Sequence, residues 1–175
     1  VAALQCANLH RTPVILNPAR PIEQTHTPSA ALPDEYFSAD MLVCNLTSAA
    51  QITDQSGADI RMAKLIGSDL VARGTHCAVL TMGPHGCVVV DRSGADYLPA
   101  FNVDVVDRTG SGEAFAGALA AYCAVKSDLR AAVQFASAAG ALVCSKFGAI
   151  EALPTEAEII QLLQQEDIDP LPRHA

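Results

Sequence analysis

Short apolar runs that end abruptly at polar residues are the feature that most constrains how this chain can fold. Residues 14–16 end at Asn17-Pro18, and residues 41–44 end at Asn45. Residues 77–81 form a third run of the same kind. Runs without apolar and polar alternation are typical of strands buried on both faces, as in parallel sheets. The sequence therefore predicts three buried strands with polar ends.

Helical patterns alternate with these strands. Residues 56–74 carry apolar side chains at a spacing of four and end at a glycine. Two Ala-rich helices are predicted at 112–125 and 129–144, and Thr155-x-x-Glu158 is a capping box that begins a last helix. Alternating strands and helices indicate a three-layer α/β fold with a mainly parallel sheet.

The remaining segments complete the predicted organisation. Residues 87–98 are expected to form a hairpin at a sheet edge, and residues 103–106 a strand that leads into a glycine-rich turn. Prolines make residues 18–33 an irregular connection. We expect one domain over residues 1–165 and a polar tail over residues 166–175.

Composition narrows the class of partner. The chain has 19 acidic and 11 basic residues, a net charge of −8, and no basic cluster, which argues against nucleic acid or an anionic membrane surface as a partner. No apolar run approaches the length of a membrane span. Six cysteines without a C-x-x-C spacing favour reduced thiols over disulfides or a zinc site. We expect a soluble, cytoplasmic protein that acts on small molecules.

The glycine-rich turn over residues 107–115 is the most informative motif for function. It lies at a helix start, where backbone N–H groups lack intrahelical partners and the helix dipole favours an anion. The carboxylate of Glu113 would repel a bound phosphate, so its presence in this turn indicates a chemical role. Accepting a proton from an attacking hydroxyl is such a role.

Two other phosphate-binding motifs do not match this turn. A dinucleotide fold requires a third glycine where Phe115 stands, and a P-loop requires a Lys-Ser or Lys-Thr pair after the glycines. In parallel sheets, ligands bind beyond the carboxyl ends of the strands. Asn17, Asn45, the 83–86 turn and the Gly110 loop are therefore expected to converge there.

Four segments in the same order resemble those of the ribokinase-like sugar kinases, the PfkB family. The turn and its helix resemble the family's D-T-x-G-A-G-D-x-F signature, and residues 16–19 resemble its L-N-P-A strand end. Residues 80–86 resemble its T-x-G-x-x-G nucleotide loop, and residues 135–149 the helix and turn that flank adenine. The resemblance implies ATP-dependent phosphorylation of a sugar hydroxyl, and Asn17-Pro18 favours ribose or a related sugar.

The resemblance also implies roles for the residues of the turn. Glu113 stands where the family's catalytic aspartate removes the proton of the sugar hydroxyl. The N–H groups of Gly110, Ser111 and Gly112 would stabilise the charge that develops on the transferred phosphoryl group.

The implied nucleotide residues lie on several segments. Thr81, Gly83 and Gly86 would line the nucleotide, and Ser137 would lie near the adenine. Asn45 begins the family's N-x-x-E element, which organises Mg²⁺ and phosphate through water.

A monovalent cation, K⁺ by resemblance, is expected beside the anion hole. Its ligands would be Asp107 and mostly backbone carbonyls, those of Thr109, Val143, Lys146 and Gly148.

The chain departs from the family pattern at three positions and in length. Glu113 replaces aspartate, Ser48 replaces the glutamate of N-x-x-E, and Arg108 replaces the usual threonine. The family's N-terminal half and β lid have no counterpart in the sequence, so we expect the C-terminal, nucleotide-binding half of a kinase. An open sheet edge would favour a homodimer or other self-association.

Two alternatives to an active kinase stay open. The chain could bind nucleotide without turnover, as a weak or inactive kinase, or it could have a structural role alone.

Overall fold

The computed structural model describes residues 1–18 and 32–168 of the chain. These residues belong to two compact units, Val1–Pro99 and Ala100–Ala175. Most of the predicted proline-rich connection, residues 19–31, lies outside the described residues. Of the predicted polar tail, only residues 166–168 are described.

The first unit contains a five-stranded sheet in the order β1-β2-β3-β4-β5. The strands are β1 (Ile15–Leu16), β2 (Met41–Asn45), β3 (Cys77–Thr81), β4 (Cys87–Asp91) and β5 (Gly94–Leu98). The helices are α1 (Ala2–Leu9), α2 (Leu46–Thr53) and α3 (Ile60–Ala72), with 3₁₀ helices at Asp34–Ser38 and Gly83–His85. Strands β1, β2 and β3 run parallel, whereas β4 and β5 form an antiparallel hairpin. The three predicted strands and the predicted hairpin are confirmed.

The central strands are apolar along their whole length because they are buried on both faces. Every residue from Cys77 to Leu80 in β3 and from Cys87 to Val90 in β4 is buried. On one face, these strands form a core cluster with the α3 residues Ala63, Ile66 and Leu70, none of which is exposed. The apolar residues that recur every four positions in the sequence therefore form the face of α3 that covers the sheet.

Gly67 lets α3 approach the sheet closely. A Cβ atom at this position would lie 2.5 Å from Cγ2 of Val90, on β4. That separation is far below a van der Waals contact, so a larger residue would have to push the helix or the strand away. A glycine in a helix interior is intrinsically unfavourable, and here close packing explains it.

The second unit contains three helices: α4 (Ser111–Cys123), α5 (Leu129–Cys144) and α6 (Glu156–Gln165). The rings of Tyr122 on α4 and Phe135 on α5 lie 5.4 Å apart. Ile159 and Leu163 of α6 are buried in a cluster with alanines of α5. All three predicted helices are confirmed, including the capping box of α6, in which Thr155 and Glu158 bond reciprocally.

The predicted strand over residues 103–106 is wrong. This segment is irregular in the structure, and the side chains of Val105 and Val106 are 54% and 60% exposed. The N–H of Val106 donates to the carbonyl of Cys144 at 2.8 Å, at the end of α5. A strand requires a neighbouring strand for its hydrogen bonds, and none of the strands in the described part of the chain pairs with this segment.

Two helices differ from the sequence prediction, one in its start and one in its presence. Helix α3 begins at Ile60 rather than near Ser56, because the carboxylate of Asp59 caps it by accepting from the N–H of Met62 at 2.7 Å. Helix α2 was not predicted, since its eight residues are too few to show a clear period.

The cysteines are free thiols in the structure. Cys44, Cys77 and Cys87 are buried on β2, β3 and β4, whereas Cys6 and Cys123 are exposed. Burial raises the pKa of Cys44 to about 12, so its reactive thiolate form is scarce at neutral pH.

Within residues 1–18 and 32–168, no helix is both long enough and apolar enough to cross a bilayer.

Two glycine-to-alanine substitutions in helices should have opposite effects on stability. Gly67→Ala should destabilise the protein, because the overpacking cost of about 1–3 kcal/mol exceeds the gain in helix propensity. Gly117→Ala in α4 should stabilise it by about 0.5–1 kcal/mol, since a Cβ there meets nothing within 4 Å. Urea unfolding followed by circular dichroism measures both changes. A gain in stability for Gly67→Ala would contradict the close contact with Val90.

Candidate functional site

In the first unit, the predicted site residues lie where parallel strands end. Asn45 and Thr81 are the last residues of β2 and β3 and are paired in register. Asn17 follows β1, which runs in the same direction. The structure thus brings Asn45 and Thr81 side by side at the carboxyl edge of the sheet, where α/β folds bind ligands.

Asn45 also has a structural role that the sequence analysis missed. Its side-chain oxygen accepts a hydrogen bond from the N–H of Ser48 at 2.8 Å and caps α2. Ser48 itself is only 5% exposed, in the first turn of that helix. An asparagine at the end of an apolar run is a typical N-cap, so this signal was present in the sequence.

The turn after β3 is a tight loop that depends on glycine. Residues Gly83–His85 form a 3₁₀ helix, and the N–H of Met82 donates to the carbonyl of Gly86 at 2.8 Å. Gly83 has φ +57° and Gly86 has φ +80° with ψ −143°. The second conformation is open almost only to glycine. The predicted turn is therefore present.

In the second unit, the glycine-rich turn caps α4. Gly110 is the N-cap residue, with φ +80° and ψ 0°. A Cβ on Gly110 would lie 3.3 Å from Cβ of Ala149, so both the backbone conformation and the lack of space require glycine. No side chain among residues 1–18 and 32–168 caps the helix. N–H groups of its first turn without an intrahelical partner can therefore bind an anion.

Glu113 lies in the first turn of α4 and is exposed. Across the two described ranges, its carboxylate has no hydrogen-bond or ion-pair partner, so it is available to a ligand. The neighbouring Arg108 is also exposed, and its carbonyl accepts from the N–H of Ser111 at 3.3 Å.

The carboxylate of Asp107 organises the loop before α4. Its Oδ1 accepts from the N–H of Thr109 at 2.9 Å and from the Thr109 hydroxyl at 2.7 Å. Its Oδ2 accepts from the N–H of Gly148 at 3.2 Å. These hydrogen bonds, those from Thr109 above all, lower the pKa of Asp107 below its ordinary value of 3.8. A single side chain thus connects two loops that are distant in sequence.

Three of the predicted cation ligands, Asp107, Thr109 and Gly148, lie next to one another. Asp107 and Thr109 adjoin Gly148 through the hydrogen bonds of this carboxylate. The carbonyl of Val143, near the end of α5, accepts from the N–H of Lys146 at 3.2 Å. A carboxylate with backbone carbonyls is a set of oxygen donors, the kind that hard cations prefer, so the chemistry of these residues fits a cation.

Gly140 on α5 was not singled out in the sequence, yet it lies directly against the turn. A Cβ there would be 3.2 Å from the carbonyl oxygen of Ser111 and 3.7 Å from Cβ of Phe115. Ser137 lies one turn earlier on the same face of α5. A glycine within an Ala-rich helix signals close packing, but the sequence does not say against which residue.

The predicted residues therefore fall into two groups, each described within its own unit. Asn45, Thr81, Gly83 and Gly86 belong to the first unit, and the residues from Asp107 onward belong to the second. The convergence of the two groups stays a prediction.

The fold is that of the ribokinase-like α/β proteins. The structure matches that of Arabidopsis thaliana ribokinase complexed with ribose and ATP, with a TM-score of 0.80 and 22% sequence identity. The match covers 92% of this chain and 50% of that one. The three-layer fold expected from the sequence is thereby confirmed.

The chain belongs to the pfkB family of carbohydrate kinases, whose model it matches over residues 1–156. It is 28% identical over 163 residues to the ribokinase of Haemophilus influenzae, covering 93% of this chain and 51% of that protein. It is 38% identical over 94 residues to fructokinase-1 of Zea mays, covering 50% of this chain and 29% of that protein. The chain thus spans about half, or less, of the length of these relatives.

The hydrogen bonds of Asp107 should persist in acid. Because its pKa is lowered, the carboxylate remains charged as the pH falls to 3.8, and the bonds to Thr109 are lost only below that value. An NMR titration of the Thr109 amide should therefore show its inflection below pH 3.8. Asp107→Asn is the control and should abolish this inflection. An inflection at or above the ordinary value would contradict the prediction.

Gly140→Ala should displace the first turn of α4. The added methyl group would require a shift of a few tenths of an ångström at Ser111, whereas the matched variant Gly117→Ala meets open space. We expect the amide resonances of Ser111 and Gly112 to move in Gly140→Ala only. Equal spectra for the two variants at these amides would show that α5 does not set the position of the turn.

Proposed function

We propose that the protein containing this chain transfers the terminal phosphoryl group of ATP to a hydroxyl group of a sugar. The observation that carries the proposal is the glycine-capped start of α4, where no side chain of the described residues caps the N–H groups and the carboxylate of Glu113 has no partner. Membership of a carbohydrate kinase family supports the reaction class. The turn offers the two functions that phosphoryl transfer needs from a protein, which are charge stabilisation and proton acceptance.

In this proposal, Glu113 is the base. Its carboxylate accepts the proton of the attacking sugar hydroxyl, while the N–H groups of Gly110, Ser111 and Gly112 stabilise the charge on the phosphoryl oxygens. Glutamate is longer than aspartate by one C–C bond, and a misplacement of ~1 Å can reduce a rate by ~10²-fold. The proposed base therefore has a longer reach than the aspartate of the family.

The proposed nucleotide contacts are Thr81, Gly83 and Gly86 in the first unit and Ser137 in the second. The exposed, side-chain-free backbone at Gly83 supports this role, since nothing lies within 4 Å of a Cβ there. A ligand can thus approach the backbone closely. The Arabidopsis ribokinase structure contains ATP, which supports ATP as the donor.

Mg²⁺ is proposed as part of the ATP complex, as in the E. coli putative ribokinase II structure that contains both. Bound there, it would neutralise charge on the phosphates. The Asn45–Ser48 element fits this ion poorly, because a serine replaces the carboxylate and the asparagine oxygen caps α2. We therefore assign no step of the reaction to these two residues.

K⁺ is proposed at Asp107 and the carbonyls of Thr109, Val143, Lys146 and Gly148. A structurally similar phosphofructokinase-2 from Escherichia coli is in complex with potassium, which supports this choice. When bound, the ion would add positive charge near the start of α4. Asp107 by itself already joins the loops that carry Thr109 and Gly148.

Ribose or a related sugar is the proposed substrate. The ribokinase of H. influenzae matches 93% of the chain, whereas the maize fructokinase is more similar but matches only 50%. Self-association and a cytoplasmic location stay predictions from the sequence.

Binding of nucleotide without turnover is the second candidate function. The replacements at Glu113 and Ser48 favour it, because both alter carboxylates that the family uses. Calorimetry with ATP and Mg²⁺, followed by a sugar-dependent ADP release assay, separates the two functions. Binding without ADP release supports the second function, and failure to bind contradicts both.

Replacing the proposed base should abolish most of the activity. Glu113→Gln removes the proton acceptor but leaves the N–H groups, so kcat should fall by about 10²–10⁴-fold with little change in ATP binding. Glu156→Gln, in the first turn of α6, is the matched control and should keep normal activity. The measurement is ADP release in a protein that shows sugar-dependent turnover. Normal turnover by Glu113→Gln with every accepted sugar would rule out this role.

A further inference from the structure

The loop over residues 145–154, between α5 and α6, lies against the first turn of α4. Ala149 sits where a Cβ on Gly110 would come within 3.3 Å. Ala152 is fully buried in a cluster with Ala114 of α4 and Val143 of α5. The position of the first turn therefore depends on the conformation of this loop.

One ion pair connects the two ends of the loop. Nζ of Lys146 lies 2.8 Å from Oε1 of Glu158, and the other oxygen of Glu158 accepts from the N–H and hydroxyl of Thr155, at 2.7 and 2.9 Å. Glu158 thus joins Lys146, two residues after the end of α5, to Thr155, which caps α6. The bonds from Lys146 and Thr155 lower its pKa to about 2, so it stays charged at neutral pH.

The middle of the loop is bonded to the segment that precedes the turn. The N–H of Gly148 donates to Asp107, whose other oxygen accepts from Thr109. Glu158 thus bonds to Lys146 near the start of the loop, and two residues further along the chain Gly148 bonds to Asp107, which holds the residue before Gly110.

We propose that the side chains of Lys146 and Glu158 are positioning residues for the anion-binding turn at Gly110. They fix the loop that packs under this turn, and neither is a catalytic residue. The functional consequence rests on the proposed kinase function, whereas the structural part does not. Both side chains are about 40% exposed, and exposed ion pairs contribute little to global stability. Their effect is thus expected on local geometry rather than on unfolding.

The capping box alone does not explain the ion pair. A glutamine can replace glutamate in a capping box, so Glu158→Gln should keep the bonds to Thr155 while it removes the charge that faces Lys146. Lys146→Met removes the same pair from the other side. Lys146→Arg keeps a cation within reach of the carboxylate.

The test is an NMR comparison of these variants in the full chain. The amides of Thr109 and Gly110 are the probes, because both are distant in sequence from the substituted residues. Lys146→Met and Glu158→Gln should move both resonances in the same direction, and Lys146→Arg should restore them. Lys126→Met, an exposed lysine after α4, is the control and should leave them unchanged. The urea midpoint should change little in all four variants.

Unchanged Thr109 and Gly110 resonances in folded Lys146→Met and Glu158→Gln would overturn the proposal. In a protein with sugar-dependent turnover, Lys146→Met should also reduce kcat/KM about tenfold. This is a smaller loss than the ~10²-fold that a misplacement of ~1 Å can cause. Lys146→Arg should restore kcat/KM. If the wild type shows no turnover, the kinase function fails, but the resonances still decide the positioning role. Turnover with unmoved resonances rejects the positioning role alone.

Discussion

The hydrogen bonds of the Asp107 carboxylate are the interaction on which the second unit's candidate site depends. One oxygen holds Thr109, just before Gly110, and the other holds Gly148, in the loop after α5. Asp107 thus fixes the approach of the chain to α4 and the loop beneath it at once. A charged acceptor with several N–H and O–H donors forms stronger bonds than a neutral one, which suits a side chain that must hold irregular backbone in place.

Close packing through small residues is the second constraint. Gly140 brings α5 against Ser111, and Gly110 leaves space for Ala149. Because protein interiors are close-packed, an added methyl group at either position would move the first turn of α4. The position of that turn is therefore set by three parts of the second unit: the Asp107 loop, α5 and the 145–154 loop.

Prediction from sequence succeeded where local signals were strong. The buried strands and the Thr155 capping box were confirmed because burial on both faces and reciprocal capping leave direct patterns. The strand at 103–106 failed because its apolar residues satisfied a local pattern, whereas pairing depends on a distant partner. The short helix α2 was not predicted, because its eight residues are too few to show a helical period, although its cap at Asn45 is a local signal.

The sequence by itself determined the class of fold, the motifs of the family and the residue types of the candidate site. Only the tertiary structure decided that Asn45 caps α2, that Gly140 lies against Ser111, and that Lys146 pairs with Glu158. The fold class and the motifs follow from periodicity and spacing, which are local properties of the chain. The three contacts depend on which distant residues meet when helices and loops pack, and a single sequence does not record such contacts.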